Sequence, residues 1–153
     1  MSESSKSKSS KSESPIMTVA EIEAFLDTTF PQLHHGGRSF SVEEVGPLTA
    51  RVRLGSHERH LRPGGTISGP AMFTLADVGL YVAILAQIGP VALAVTTNLN
   101  INFLRKPEAG DLIGHCRLLK LGKRLAVGEV TIVSEGSDEP VAHAVGTYSI
   151  PMR

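Results

Sequence analysis

The sequence predicts an α+β fold in which an antiparallel β-sheet wraps around one long central α-helix. Three observations predict it. Helix and strand signals run in the order helix, two strands, apolar helix, four strands. The strands are mostly separated by short turn signals, as successive hairpins are. The second helix is apolar all round, which implies a sheet curved around it.

From Thr18 the pattern is helical: Val19, Ile22, Phe25, Leu26 and Phe30 recur at spacings of three and four, and Pro31 ends the run. Two extended runs follow at 39–45 and 48–54, joined at Gly46-Pro47. In the second, Leu48, Ala50, Val52 and Leu54 alternate with Thr49, Arg51 and Arg53, the pattern of a half-buried strand in a hairpin. Residues 56–68 read as loop, with two histidines and the turn-forming Pro63-Gly64-Gly65. A long apolar helix opens at Gly69-Pro70, where proline suits the first turn, runs to about Gln87 and stops at Gly89-Pro90. Strand-like runs at 93–104, 111–121, 125–134 and 141–150 complete the chain, with turn signals at 107–110, Gly122-Lys123 and 136–140. The long helix is about one bilayer span in length, but it carries Asp77 near its middle, with Thr74 and Gly79, and reads as a buried core helix.

A chain of 153 residues suits one domain, assigned to residues 15–153. Residues 1–14 hold eight serines, three lysines and two glutamates, a composition that cannot offset its ordering entropy and reads as a disordered tail. The tail has no apolar segment of the kind a secretory signal needs. Fifteen basic and fifteen acidic residues balance, so no global field draws the chain to nucleic acid or to an anionic membrane. The single cysteine, Cys116, allows no intrachain disulfide and no thiolate cluster, in keeping with a reducing cytoplasm.

Asp77 is the one charged residue between Arg62 and Arg105, and its neighbours at helical spacing are Phe73, Thr74, Leu80, Tyr81 and Ile84. An ionised carboxylate there is costly unless it is hydrogen-bonded, paired or near water. It serves either chemistry, a structural hydrogen bond to a neighbouring strand, or exposure through a kink at Gly79. Ahead of it, Gly64-Gly65-Thr66-Ile67-Ser68-Gly69-Pro70 leads into a helix N-terminus, whose free N–H groups can hold an anion or a developing oxyanion. An oxyanion donor and a carboxylate are two parts of an acyl-transfer site.

A thioester suits so sparse a site. Its leaving thiolate comes from a thiol of pKa about 8.5 and departs with little acid assistance. The fuller machinery of an ester or amide hydrolase is missing: the sequence has neither a Gly-x-Ser-x-Gly elbow nor a His-Glu-x-x-His motif. His34 and His35 are adjacent and face different ways. His57 and His60 lack an evident third ligand, so no metal is expected. Cys116 reads as a buried structural thiol.

The stretch Leu61-Arg-Pro-Gly-Gly-Thr-Ile-Ser-Gly-Pro-Ala-Met-Phe-Thr-Leu-Ala-Asp77, then Ala94-Val-Thr-Thr-Asn-Leu-Asn-Ile-Asn-Phe-Leu-Arg-Lys-Pro107 and Gly110-Asp111, resembles the hotdog-fold acyl-CoA thioesterases of the phenylacetate-pathway, PaaI-like branch. The resemblance covers roughly residues 40–150. It implies a sheet wrapped around a central helix, as the pattern does independently. It also implies Asp77 as general base or nucleophile, the Gly69 N–H as the donor that polarises the thioester carbonyl, and Thr96, or else Thr97, as an orienter of water. The site would form across a homodimer, with Asp77 of one subunit facing Gly69 of the other, and dimers would pair into homotetramers. Two positions depart from the family pattern. Ser68-Gly69-Pro70 stands where the family has His-Gly-Gly, and Arg62 stands where it tends to have asparagine. Ser68 is expected to hydrogen-bond in the histidine's place.

Coenzyme A needs cations for its phosphates. Arg62, Arg105-Lys106 and the turn holding Lys120, Lys123 and Arg124 are the local candidates. Tyr81 lines an acyl pocket or packs in the core. The expected activity is hydrolysis of a medium-chain or aromatic acyl-CoA, with no separate cofactor because coenzyme A belongs to the substrate. Two other readings stand beside it: a hotdog dehydratase or hydratase of acyl thioesters, and a non-catalytic acyl-CoA-binding domain.

Overall fold

The computed structural model describes residues 14–35 and 37–152. The tail expected at 1–14 therefore lies, apart from Ser14, outside the described residues. The elements are α1 (Val19–Thr29), β1 (Phe40–Gly46), β2 (Thr49–Leu54), α2 (Gly69–Ile88), β3 (Val95–Phe103), β4 (Leu112–Leu121), β5 (Leu125–Ser134) and β6 (Pro140–Ser149). Short 3₁₀ turns at Pro31–His34 and Glu58–His60 punctuate the first and third loops.

Thr18 starts α1 with a reciprocal cap: its hydroxyl accepts from the Glu21 N–H at 3.2 Å, and Glu21 Oε1 accepts from the Thr18 N–H at 2.9 Å. Of the predicted stripe, Ile22 and Leu26 are fully buried. Glu23 fastens the helix to the sheet by accepting from the Val42 N–H at 3.0 Å, and the Ile16 N–H donates to the Ala86 carbonyl of α2 at 2.7 Å.

The six strands form one antiparallel sheet in the order β1-β2-β4-β5-β6-β3. The hairpins expected at β1-β2, β4-β5 and β5-β6 are present. β3 departs from the sequential pattern: it does not join β4 but lies at the far edge beside β6. The reason is α2, which packs across β2, β4 and β5 and delivers the chain to the opposite side of the sheet. The return segment crosses back over the strand ends, with the Leu104 N–H on the Val141 carbonyl at 2.8 Å and the Glu108 N–H on Ser134 Oγ at 3.2 Å.

Ser68 caps α2, its Oγ accepting from the Ala71 N–H at 3.3 Å, and Pro70 occupies the first turn. Gly89, at φ +97°, ends it with its N–H on the Leu85 carbonyl. By length and composition α2 could cross a membrane, yet it is buried within the sheet as the core helix. Leu75, Leu80, Ile84 and Leu85 are fully buried, and side chains of this size each contribute about 1.5–3 kcal/mol.

Glycine allows the close wrap. Gly128 of β5 and Gly146 of β6 are register partners, and Leu80 of α2 sits over both. A Cβ would lie 2.6 Å from Leu80 Cδ2 at the first and 2.7 Å from Leu80 Cδ1 at the second. On α2 itself, a Cβ at Gly79 would collide with Cys116 Sγ of β4.

Candidate functional site

Asp77 lies near the middle of α2 on the strip the sheet leaves uncovered. It is half-buried, and Phe73 and Thr74 beside it are exposed. Its Oδ1 accepts two hydroxyls. Thr96 Oγ1 of β3 donates at 2.6 Å, and the Tyr148 phenol of β6 lies at 2.7 Å from the same oxygen and 2.9 Å from the Asp77 carbonyl. Thr96 and Tyr148 are register partners on neighbouring strands, so the sheet presents both hydroxyls side by side. A bulge between Thr96 and Asn98 inserts Thr97, whose hydroxyl turns instead to the Thr147 carbonyl at 3.2 Å. Among the described residues, Asp77 Oδ2 accepts no hydrogen bond.

Tyr148 is the residue the sequence reading did not single out. It is buried, and burial together with the Asp77 charge pushes its phenol well above the usual tyrosine value, so it stays a protonated donor. Its signal was a hydroxyl at the end of an inward-facing row of small residues, Ala142, Ala144 and Gly146, in a chain with only two tyrosines. The other tyrosine, Tyr81, stacks on it at 6.2 Å and 17°, and donates to the Ala92 carbonyl at 3.0 Å. Burial raises the Tyr81 phenol as well. Phe30 meets Tyr81 edge-on at 6.4 Å. These rings, with Leu33, Val78 and Ala94, line a cavity of about 460 Å³ that Asp77 and Thr96 also line.

Gly69 occupies a second cavity of about 500 Å³ with Arg62, Thr66, Phe103, Arg105 and Lys106. Its N–H donates no hydrogen bond among the described residues, and the Phe103 ring approaches to 3.3 Å of where a Cβ would stand. Eight residues of helix at 1.5 Å rise separate Gly69 from Asp77 by roughly 12 Å, so one chain does not bring the two together. Arg62 and Lys106 are exposed at the rim, whereas Arg105 is engaged by Glu139 at 2.8 Å and by the Pro140 carbonyl. Lys123 and Arg124 lie at the β4-β5 turn and line neither cavity. Ser68, expected to hydrogen-bond in the histidine's place, accepts from the Ala71 N–H through its Oγ as the helix cap.

The remaining candidates are structural. His34 lies 3.3 Å from both Asp27 and Arg38. The His57 and His60 rings are 6.0 Å apart, and burial lowers the His60 pKa. Among the described residues, no group of three or more His, Cys, Asp or Glu could hold a metal ion. Burial pushes the Cys116 thiol up to about 12, which removes it as a nucleophile.

Residues 64–141 match the family model of the thioesterase superfamily. A solved structure from Silicibacter sp. TM1040, provisionally named a thioesterase, is 49% identical and superposes with a TM-score of 0.82, covering 91% of this chain and 95% of that one. A provisionally named esterase of Pseudomonas aeruginosa is 36% identical over 101 residues, which are 65% of this chain and 74% of its own. The phenylacetic acid degradation protein PaaI of Thermus thermophilus, solved as a point mutant, is 25% identical with a TM-score of 0.67, covering 79% of this chain and 99% of that one.

Proposed function

The chain belongs to the thioesterase superfamily, and from that premise we propose that it hydrolyses an acyl-CoA thioester to the free acid and coenzyme A. The observation that carries the proposal is the Asp77 carboxylate, held through Oδ1 by two hydroxyls in the wall of an aromatic-lined cavity. The acyl group enters that cavity past Tyr81 and Phe30. Asp77 removes a proton from water as the water oxygen adds to the thioester carbon. Alternatively its carboxylate adds to that carbon itself, thiolate departure leaves an acyl-aspartyl anhydride, and water then hydrolyses it to the free acid and the carboxylate. The Gly69 N–H of the partner subunit polarises the carbonyl and holds the oxyanion. Collapse of the tetrahedral intermediate breaks the C–S bond, and the thiolate leaves without a strong acid behind it.

The shared site is part of the same proposal, and three features support it. Asp77 and Gly69 sit in different cavities of one chain. β3 is an edge strand with an unpaired side. Along that edge Leu93, Val95, Phe103 and Leu104 are exposed, with Phe73 on the adjoining helix face. Two β3 edges paired about a two-fold axis run antiparallel, so the Phe103 end of one meets the Val95 end of the other. That pairing carries Gly69, Arg62, Arg105 and Lys106 of the partner subunit towards Asp77. It sets them near Lys123 and Arg124, whose turn adjoins the same sheet end through the Leu125–Ser149 and Val95–Ser149 pairings. These cations receive the coenzyme A phosphates. Pairing of such dimers into tetramers, and a cytoplasmic location, complete the proposal.

The test is free-thiol release over a panel of acyl-CoA substrates. Asp77→Asn should lose about a hundredfold or more in turnover, the scale of removing a catalytic acid or base. Equal rates for the two proteins would overturn the assignment, and a monomeric mass in solution would overturn the shared site.

A further inference from the structure

Resting on this hydrolytic reading of the site, we propose that Tyr148 is a positioning residue: with Thr96 it pins Asp77 Oδ1, so that Oδ2 alone is the reacting oxygen. A carboxylate turns about its last torsion with little resistance, and its two oxygens are chemically equal until something distinguishes them. Here two hydroxyls converge on one oxygen, at 2.6 Å and 2.7 Å, while Oδ2 accepts nothing among the described residues. The phenol also lies 2.9 Å from the Asp77 carbonyl, so its single proton is shared between the carboxylate and the backbone of the same residue.

Rigidity stands behind that contact. The Tyr148 ring is buried and stacks on Tyr81, which is itself fastened to the Ala92 carbonyl. Thr96 and Tyr148 face each other in the β3-β6 register, so strand pairing fixes the spacing of the two donors. Reacting groups held in this way gain rate because a displacement of about 1 Å at a catalytic atom can cost roughly a hundredfold. In this proposal the phenol takes no direct part in bond making: its oxygen is turned to Asp77 Oδ1 and to the Asp77 carbonyl, and burial with the Asp77 charge keeps its proton in place.

Tyr148→Phe keeps the ring and its stack and removes only the oxygen. On a thioester that the wild type hydrolyses, kcat should fall about tenfold while KM stays within about twofold. Thr96→Val, which removes the second donor to the same oxygen, should show the same split, and Thr96→Ser should restore kcat. An unchanged kcat in Tyr148→Phe, alongside an inactive Asp77→Asn, would overturn the proposal and leave the hydrolytic reading intact. A rise in KM alone, or a Tyr148→Phe chain that does not fold, would assign the hydroxyl to binding or to the fold and overturn it equally. Full activity in Asp77→Asn would instead remove the reading on which the proposal rests.

Discussion

Asp77 combines two features that the sequence separates. Its isolation among apolar residues was legible as an anomaly of charge, and its place on a helix followed from the spacing around it. Its partners were not legible, because Thr96 and Tyr148 lie on strands that only the folded register brings together. The choice between Thr96 and Thr97 rested on a bulge that no local pattern announces. At Gly69 a different prediction follows. In Gly69→Ala the new methyl meets the Phe103 ring 3.3 Å away, beside the N–H to which the proposed mechanism brings the substrate carbonyl. Steady-state assays should show kcat/KM reduced about tenfold or more, the order of cost for disturbing one oxyanion donor. The neighbouring Ser68→Ala should act on stability instead, costing about 0.5–2 kcal/mol as a lost helix cap, read by thermal melting.

At the scale of elements, both helices and six strands were readable from periodicity and turn residues, to within two residues at their ends. The position of β3 was not. Local pattern sees that a strand follows a helix but not which edge of the sheet the helix has reached, and α2 crosses the sheet before β3 begins. The fit of that crossing depends on Leu80 lying over the Gly128-Gly146 pair. Gly146→Ala should therefore overpack the core, since its Cβ would stand 2.7 Å from both Leu80 Cδ1 and Leu99 Cδ1. The expected loss is about 1–3 kcal/mol, measured by denaturant unfolding with an unchanged m-value.

Across the whole molecule the two faces of the sheet do different work. The concave face holds the core, and the opposite face carries an ionic network. Arg53 bonds Glu43, Asp111 at 2.9 Å and Glu135, and Asp111 also accepts from the Ser56 N–H at 2.8 Å. The Arg53 guanidinium holds Glu43 below the usual carboxylate range, and the Ser56 N–H, aided by Arg53, does the same for Asp111. Carboxylates with a depressed folded pKa stabilise the fold above their unfolded value of about 4, and that contribution is lost as pH falls through the folded one. Thermal melts should hold steady from neutral pH to about 5 and decline below about 4. Arg53→Met should lower the neutral-pH melting temperature and shallow the acid decline. Overall charge balance, readable from composition alone, gave no hint of this network, because it depends on which strands are neighbours.

The placement of β3 at the sheet's edge has a consequence for how the protein must be handled. A donor that sits across an open border belongs to each molecule only while a second one is present. Under the shared-site proposal, activity per milligram is then a function of concentration. It should hold constant in concentrated solution and fall away on dilution through the dimer's dissociation range, recovering when the sample is concentrated again. A cell that lowers the abundance of this chain would lose catalysis faster than it loses protein.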